Sequence, residues 1–147
     1  MKKIIALVVW LCLSISLVAC GPSTATSASI TEGNQEEFLK DMAAGINDRL
    51  ANDRDTSNMT DEQIIKLYTK LVNYELNKIE KYDGLVFPDS RFNDLAHLYI
   101  DGCKMQLKAC ELYKDMSLYN ALWPSGYNVR CAVITSLYKN SQVLKVV

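Results

Sequence analysis

The stretch that decides the fold is TDEQIIKLYTKLVNYELNKIEKY, residues 60–82. Its apolar side chains recur at three- and four-residue steps, the period of one face of an α-helix. Thr60 and Gln63 have the spacing of a capping box, and two acidic residues stand in the first turn, where the helix dipole favours negative charge. Asp83-Gly84 follows, and glycine accepts the left-handed conformation that ends a helix. The stretch therefore predicts an amphipathic helix that ends near Tyr82.

Three further segments show the same period. Residues 35–51 carry one apolar stripe, which consists of Phe38, Leu39, Met42, Ile46 and Leu50. A third helix is predicted from an N-cap at Asp89 or Ser90 to about Tyr113. Trp123-Pro124-Ser125-Gly126 is predicted to break the chain before a fourth helix, whose apolar positions are Val129, Val133, Ile134, Leu137 and Leu144. Four amphipathic helices with short connections predict an all-α fold, an up-down-up-down four-helix bundle over residues 35–147.

The first twenty residues have a different pattern. Lys2-Lys3 precedes a nearly unbroken apolar run over residues 4–13, and small residues follow before Cys20. Leu17-Val-Ala-Cys20 resembles the lipobox of bacterial lipoproteins. The resemblance implies that diacylglycerol alkylates the Cys20 thiol and that residues 1–19 are removed as a signal peptide. The alternative is an uncleaved anchor, but no charged stop-transfer flank follows Ala19.

The expected mature chain begins at Cys20, and it is held to the cell membrane on the extracytoplasmic face by lipid. Residues 20–34 comprise the lipidated cysteine and a small, polar segment that predicts a flexible tether. Loss of Lys2 and Lys3 leaves 14 basic and 17 acidic residues, a net charge of −3. No basic stripe suited to nucleic acid is present, so the expected partners are the membrane, through Cys20, and an envelope protein.

Three cysteines, Cys103, Cys110 and Cys131, lie in the predicted helical domain. Cys103 and Cys110 are about 10 Å apart along a helix, too far for a disulfide. Either residue can reach Cys131 on a neighbouring helix, but we favour three buried free thiols. The sequence has no Cys-x-x-Cys, and His97, its one histidine, is not spaced with the cysteines, so neither a metal nor another cofactor is expected.

Glu75 falls on the apolar stripe of the second helix, and Gln106 falls between Cys103 and Cys110 on the third. A buried carboxylate needs a charged or hydrogen-bonding partner, and Arg130 and the tyrosine hydroxyls are candidates. One hypothesis is a polar core or ligand pocket formed by Glu75, Gln106 and Arg130. The other, which we favour, is a buried network that fixes the register of the helices.

Two local patterns suggest sites but lack required residues. Asp53-Arg-Asp55-Thr-Ser57 resembles the opening of an EF-hand loop, yet Asn58 replaces the turn glycine and Ile64 replaces the bidentate glutamate. Asp94-x-x-His97 has the spacing used in di-iron bundles, but the only histidine cannot complete such a site, and on the predicted helix His97 points away from the core.

No nucleophile elbow, zinc-protease motif or phosphate loop is present, so no catalytic residue is assigned. We expect a binding or accessory module of the cell envelope and not an enzyme. The alternative is a small enzyme or ligand-binding bundle with its site around Glu75.

Overall fold

A computed structural model of the chain describes residues 32–140. Four helices form this part: α1, Gln35–Asn52; α2, Asp61–Ile79; α3, Ser90–Glu111; and α4, Met116–Asn140. The short 3-10 helix Glu80–Tyr82 tightens the end of α2. The described residues contain no strand, so the prediction of an all-α fold is confirmed.

Local signals position the helix ends. Thr60 and Gln63 form the capping box in both directions: the Gln63 backbone N–H donates to Thr60 Oγ1 at 3.3 Å, and the Thr60 N–H donates to Gln63 Oε1 at 2.9 Å. Asp89 caps α3 by accepting the Phe92 N–H at 2.8 Å. Gly84 has a φ of +79°, the left-handed conformation expected after α2.

Contacts between α1 and α2 show that these helices are antiparallel. Tyr82, just past the end of α2, donates to Asp41 near the start of α1 at 2.8 Å. Arg49, near the end of α1, donates to Glu75 at 2.8 Å. Positions later in α1 therefore meet positions earlier in α2.

Contacts between α2 and α4 show that these helices run in the same direction. The Tyr68 and Trp123 rings stack with centroids 4.8 Å apart, and Arg130 donates to Glu75. Both pairs are separated by the same number of residues, so the two helices advance together. Helix α3 connects the end of α2 to the start of α4 and packs against both, so it runs in the opposite direction. The predicted up-down-up-down bundle is therefore confirmed.

The bundle has two distinct ends. At the first, which we call the tether end, the Gly33 N–H donates to the Val86 carbonyl at 2.9 Å, and Asn34 caps α1. The C-terminal residues of the segment predicted as a tether are thus docked on the α2–α3 loop. The opposite, distal end carries the α1–α2 loop and the α3–α4 turn. At 1.5 Å per residue, the 19 residues of α2 separate these ends by about 28 Å.

The predicted break at residues 123–126 is wrong, because α4 passes through Pro124 without interruption. Asp115 starts the helix: its carboxylate accepts the Ser117 and Leu118 N–H groups, each at 3.1 Å. An interior proline removes one backbone hydrogen bond and costs about 3 kcal/mol. Packing on both sides of Pro124 offsets that cost, through Trp123 before it and Gly126 after it.

The structure differs from the predicted helices in two other details. Leu50, placed on the apolar stripe of α1, is 64% exposed, because Arg49 occupies the inward position instead. The third helix ends at Glu111, before Tyr113. Leu144 lies outside the described residues.

The core is continuous and mostly aliphatic and aromatic. Its buried side chains include Phe38, Met42, Val72, Leu76, Ile79, Phe87, Tyr99, Ile100, Val133 and Leu137. Within residues 32–140, no helix is long and apolar enough to cross a bilayer.

The backbones of α3 and α4 are in contact where Gly102 meets Gly126. A Cβ atom on Gly126 would lie 2.6 Å from the Gly102 carbonyl oxygen and 2.8 Å from Gln106 Cγ. We expect Gly126→Ala to lower the free energy of unfolding by about 1–3 kcal/mol through overpacking, despite the better helix propensity of alanine. Urea unfolding measures the change, with exposed Asn128→Ala as the control. A neutral or stabilising Gly126→Ala would contradict the close crossing.

Candidate functional site

The first candidate site is the carboxylate of Glu75, which is 1% exposed. Arg49 donates to Oε1 at 2.8 Å, while Arg130 and the Tyr99 hydroxyl both donate to Oε2. These three donors come from α1, α4 and α3. One carboxylate of α2 is therefore bonded to each of the other three helices.

Gln106 extends this network on the α3–α4 side. Arg130 Nη1 donates to Gln106 Oε1 at 2.7 Å, so the structure brings Glu75, Gln106 and Arg130 together. Gly102 makes the approach possible, because a Cβ atom there would lie 2.8 Å from Arg130 Cγ. Gln106 Nε2 and Arg130 Nε are buried and have no hydrogen-bond partner within residues 32–140.

Burial controls the protonation of the neighbouring groups. It raises the pKa of the Tyr99 hydroxyl well above the usual 10.0, and the Glu75 carboxylate raises it further. Burial also raises the pKa of the Cys103 thiol from 9.0 to about 12. Burial alone would lower the pKa of Arg130, but its neighbours, Tyr99 and Glu75 among them, raise that pKa above its ordinary value. At neutral pH the network thus holds a guanidinium, a phenol and an unreactive thiol.

This arrangement suits a structural role better than a chemical one. A general base needs a lone pair directed at the substrate proton, and a nucleophile needs an open approach. Both oxygens of Glu75 already accept hydrogen bonds from protein groups. The carboxylate of Glu75 thus links all four helices, and a network that fixes their register stays the hypothesis that we favour.

Arg49 was missed as a member of the network. A heptad-like line of residues, Phe38, Met42, Gly45 and Arg49, marks the buried face of α1. Gly45 was the available signal, because it allows α1 to approach Glu75: a Cβ atom there would lie 2.8 Å from Glu75 Cα. The stripe drawn through Ile46 and Leu50 is rotated by one position from this face.

The second candidate site, which we call the distal cleft, lies between the starts of α2 and α4 and has a volume of about 340 Å³. Its lining residues are Asp61, Ile64, Ile65, Tyr113, Lys114, Met116 and Tyr119. None of them was assigned to a site from sequence, although Tyr113–Tyr127 is the densest aromatic stretch of the chain.

Stacked aromatic rings support one wall of the distal cleft. Trp123 stacks with both Tyr68 and Tyr119, at centroid distances of 4.8 and 6.0 Å and interplanar angles of 21° and 14°. Exposed apolar side chains lie at this end too, with Met116 60% and Leu118 44% exposed. The distal end therefore offers aromatic and aliphatic surface to solvent.

His97 is not the surface residue expected from its helical position. Its Nε2 lies 2.9 Å from the Leu85 carbonyl oxygen, and its ring contacts the edge of Phe87. The α2–α3 loop folds over this side of α3 and covers the imidazole in part. The histidine consequently fastens the loop to α3.

The remaining candidates from the sequence are the cysteines, the EF-hand-like loop and a metal site. Cys103, Cys110 and Cys131 are free; Cys103 and Cys110 are buried as expected, whereas Cys131 is half-buried. In the exposed α1–α2 loop, the Asp55 carboxylate accepts the Ser57 N–H and hydroxyl at 2.9 and 2.8 Å. Residues 32–140 contain no cluster of His, Cys, Asp and Glu placed to hold a metal ion. Cys20 lies outside the described residues.

No protein-family model, curated protein or solved structure matches the chain. A functional proposal therefore rests on the chemistry of the Glu75 network and of the distal cleft.

Proposed function

We propose that this chain is a lipid-anchored, extracytoplasmic binding module of the cell envelope, with the distal cleft as its binding site. The observation that carries the proposal is the position of the cleft. The tether joins the bundle beside Val86, and the cleft lies at the other end of α2. In a domain held by lipid on Cys20, the chain enters the bundle at the end opposite the distal cleft, so the point of attachment leaves the cleft free.

The Glu75 network and the distal cleft have separate roles in this proposal. The network holds four helices in one register, which keeps the walls of the cleft in place. Binding sites on a rigid scaffold lose less conformational entropy when a ligand binds. The alternative, an enzyme that uses Glu75, is less well supported, because Arg49, Tyr99 and Arg130 occupy the carboxylate.

The test is mass spectrometry of what copurifies with the lipidated protein from its native envelope, with Met116→Glu compared with wild type. Met116 lines the cleft and is 60% exposed, so the charged variant should fold normally and lose the bound component. Leu98→Glu is the matched control, because Leu98 is 47% exposed on α3 and does not line the cleft. An identical set of copurifying components for all three proteins would refute the cleft as the binding site.

A further inference from the structure

The geometry points to a specific ligand class for the distal cleft: a small zwitterion with a large apolar body, such as an apolar amino acid or a short apolar peptide. This inference deepens the proposed function and rests on it. Three properties of the cleft carry it: its size, its aromatic wall and the pair of opposite charges at its rim.

The size favours a small ligand. A volume of about 340 Å³ lies at the lower end of the range of about 300–1,000 Å³ typical of ligand pockets. The lining combines aliphatic side chains, Ile64, Ile65 and Met116, with two tyrosines. Such walls bury an apolar body and leave orientation to a few polar groups.

The aromatic wall favours a flat or compact apolar group. Trp123 stacks on Tyr119 with an interplanar angle of 14°, and it stacks on Tyr68 with an interplanar angle of 21°. These contacts hold the Tyr119 ring in one orientation where it lines the cleft. A preorganised ring can pack against a ligand without losing further side-chain freedom.

The two charges of the lining have opposite sign and lie on different elements. Asp61 is in the first turn of α2, and Lys114 is in the turn between α3 and α4. Neither forms an ion pair within the part of the chain that the structure describes. The Asp61 carboxylate can therefore bind an ammonium group, and the Lys114 ammonium can bind a carboxylate.

Other polar groups nearby are already engaged. The Asp115 carboxylate accepts the Ser117 and Leu118 N–H groups, and Glu111 pairs with Lys108 at 2.8 Å. The capping box at Thr60 occupies the Gln63 N–H at the start of α2. Asp61 and Lys114 are consequently the charged side chains of the lining that select the ligand.

The experiment is isothermal titration of the lipidated mature chain in lipid nanodiscs, with empty nanodiscs as the blank. The probes are L-phenylalanine, N-acetyl-L-phenylalanine, L-phenylalaninamide, glycine and the dipeptide Leu-Phe. We expect saturable binding of phenylalanine, and about tenfold weaker binding when the ammonium or the carboxylate is blocked. Glycine should not bind, because it lacks the apolar body. Tighter binding of Leu-Phe than of phenylalanine would assign the site to peptides.

Charge variants test whether Asp61 binds the ammonium group of the ligand and Lys114 its carboxylate. Asp61→Asn should weaken phenylalanine binding about tenfold and abolish the preference for phenylalanine over its N-acetyl form. Lys114→Gln should likewise weaken phenylalanine binding about tenfold, and it should abolish the preference for phenylalanine over its amide. Asp53→Asn, on the exposed loop outside the lining, should bind phenylalanine like wild type. Absence of binding by both phenylalanine and Leu-Phe, or equal affinity of wild type and Asp61→Asn for phenylalanine, would overturn the inference. If copurification still depended on Met116, the proposed function would stand without the inferred ligand class.

Discussion

Glu75→Ala is expected to destabilise the domain by about 3–5 kcal/mol, because it leaves the buried Arg130 guanidinium without its carboxylate. Arg49, whose side chain is 15% exposed, can turn partly to water, so most of the loss arises at Arg130. The Tyr99 hydroxyl loses its acceptor as well. Urea unfolding followed by circular dichroism measures the change in free energy.

Two further variants separate the loss of charge pairing from other effects. Glu62→Ala, an exposed acid on the same helix, should change stability by less than about 0.5 kcal/mol. The double variant Glu75→Leu/Arg130→Met should recover part of the loss, because it removes the unpaired guanidinium but leaves the Tyr99 hydroxyl and Gln106 Oε1 without their partners. Equal, small effects of Glu75→Ala and Glu62→Ala would contradict the buried network.

Cys20→Ala is expected to abolish processing altogether, so that the protein accumulates as a precursor that still carries residues 1–19. In lipobox proteins both the lipid transfer and the cleavage that follows depend on this thiol. Gel mobility and incorporation of labelled palmitate report the two steps in whole cells.

Cys12→Ala is the matched control, because Cys12 lies in the apolar run that the predicted cleavage before Cys20 would remove. That variant should be lipidated and cleaved normally. Membrane-bound Cys20→Ala of normal mature size would refute the lipoprotein prediction and, with it, the lipid attachment on which the proposed function rests.

Helical periodicity and capping residues were sufficient to predict the fold. Thr60 and Asp89 cap helices through hydrogen bonds to residues three positions away, and Gly84 ends a helix through its own backbone conformation. These effects are therefore visible in the sequence. Pro124 misled the prediction because its local preference is overridden by packing: the Tyr68–Trp123 stack joins positions on different helices. Such long-range contacts have no signature in a local window.

The candidate sites show the same division between local and long-range information. Glu75 and Gln106 were identifiable because a polar residue on an apolar stripe is conspicuous. Arg49 was missed because the neighbouring Leu50 is a better apolar candidate, and only the position of α2 decides which of them faces inward. The distal cleft depends on how two helix starts and a turn converge, and no helical period encodes that.

The Glu75 carboxylate also has a consequence for cooperativity. Its hydrogen bonds to Arg49, Tyr99 and Arg130 span 26, 24 and 55 residues of chain. Detaching α4 alone would remove Arg130 from a desolvated anion, so partial opening carries an electrostatic penalty in addition to the lost apolar contacts. Native-state hydrogen exchange should therefore find the four helices opening as a single foldon, with no low-energy state in which α4 frays from an intact α1–α3 unit.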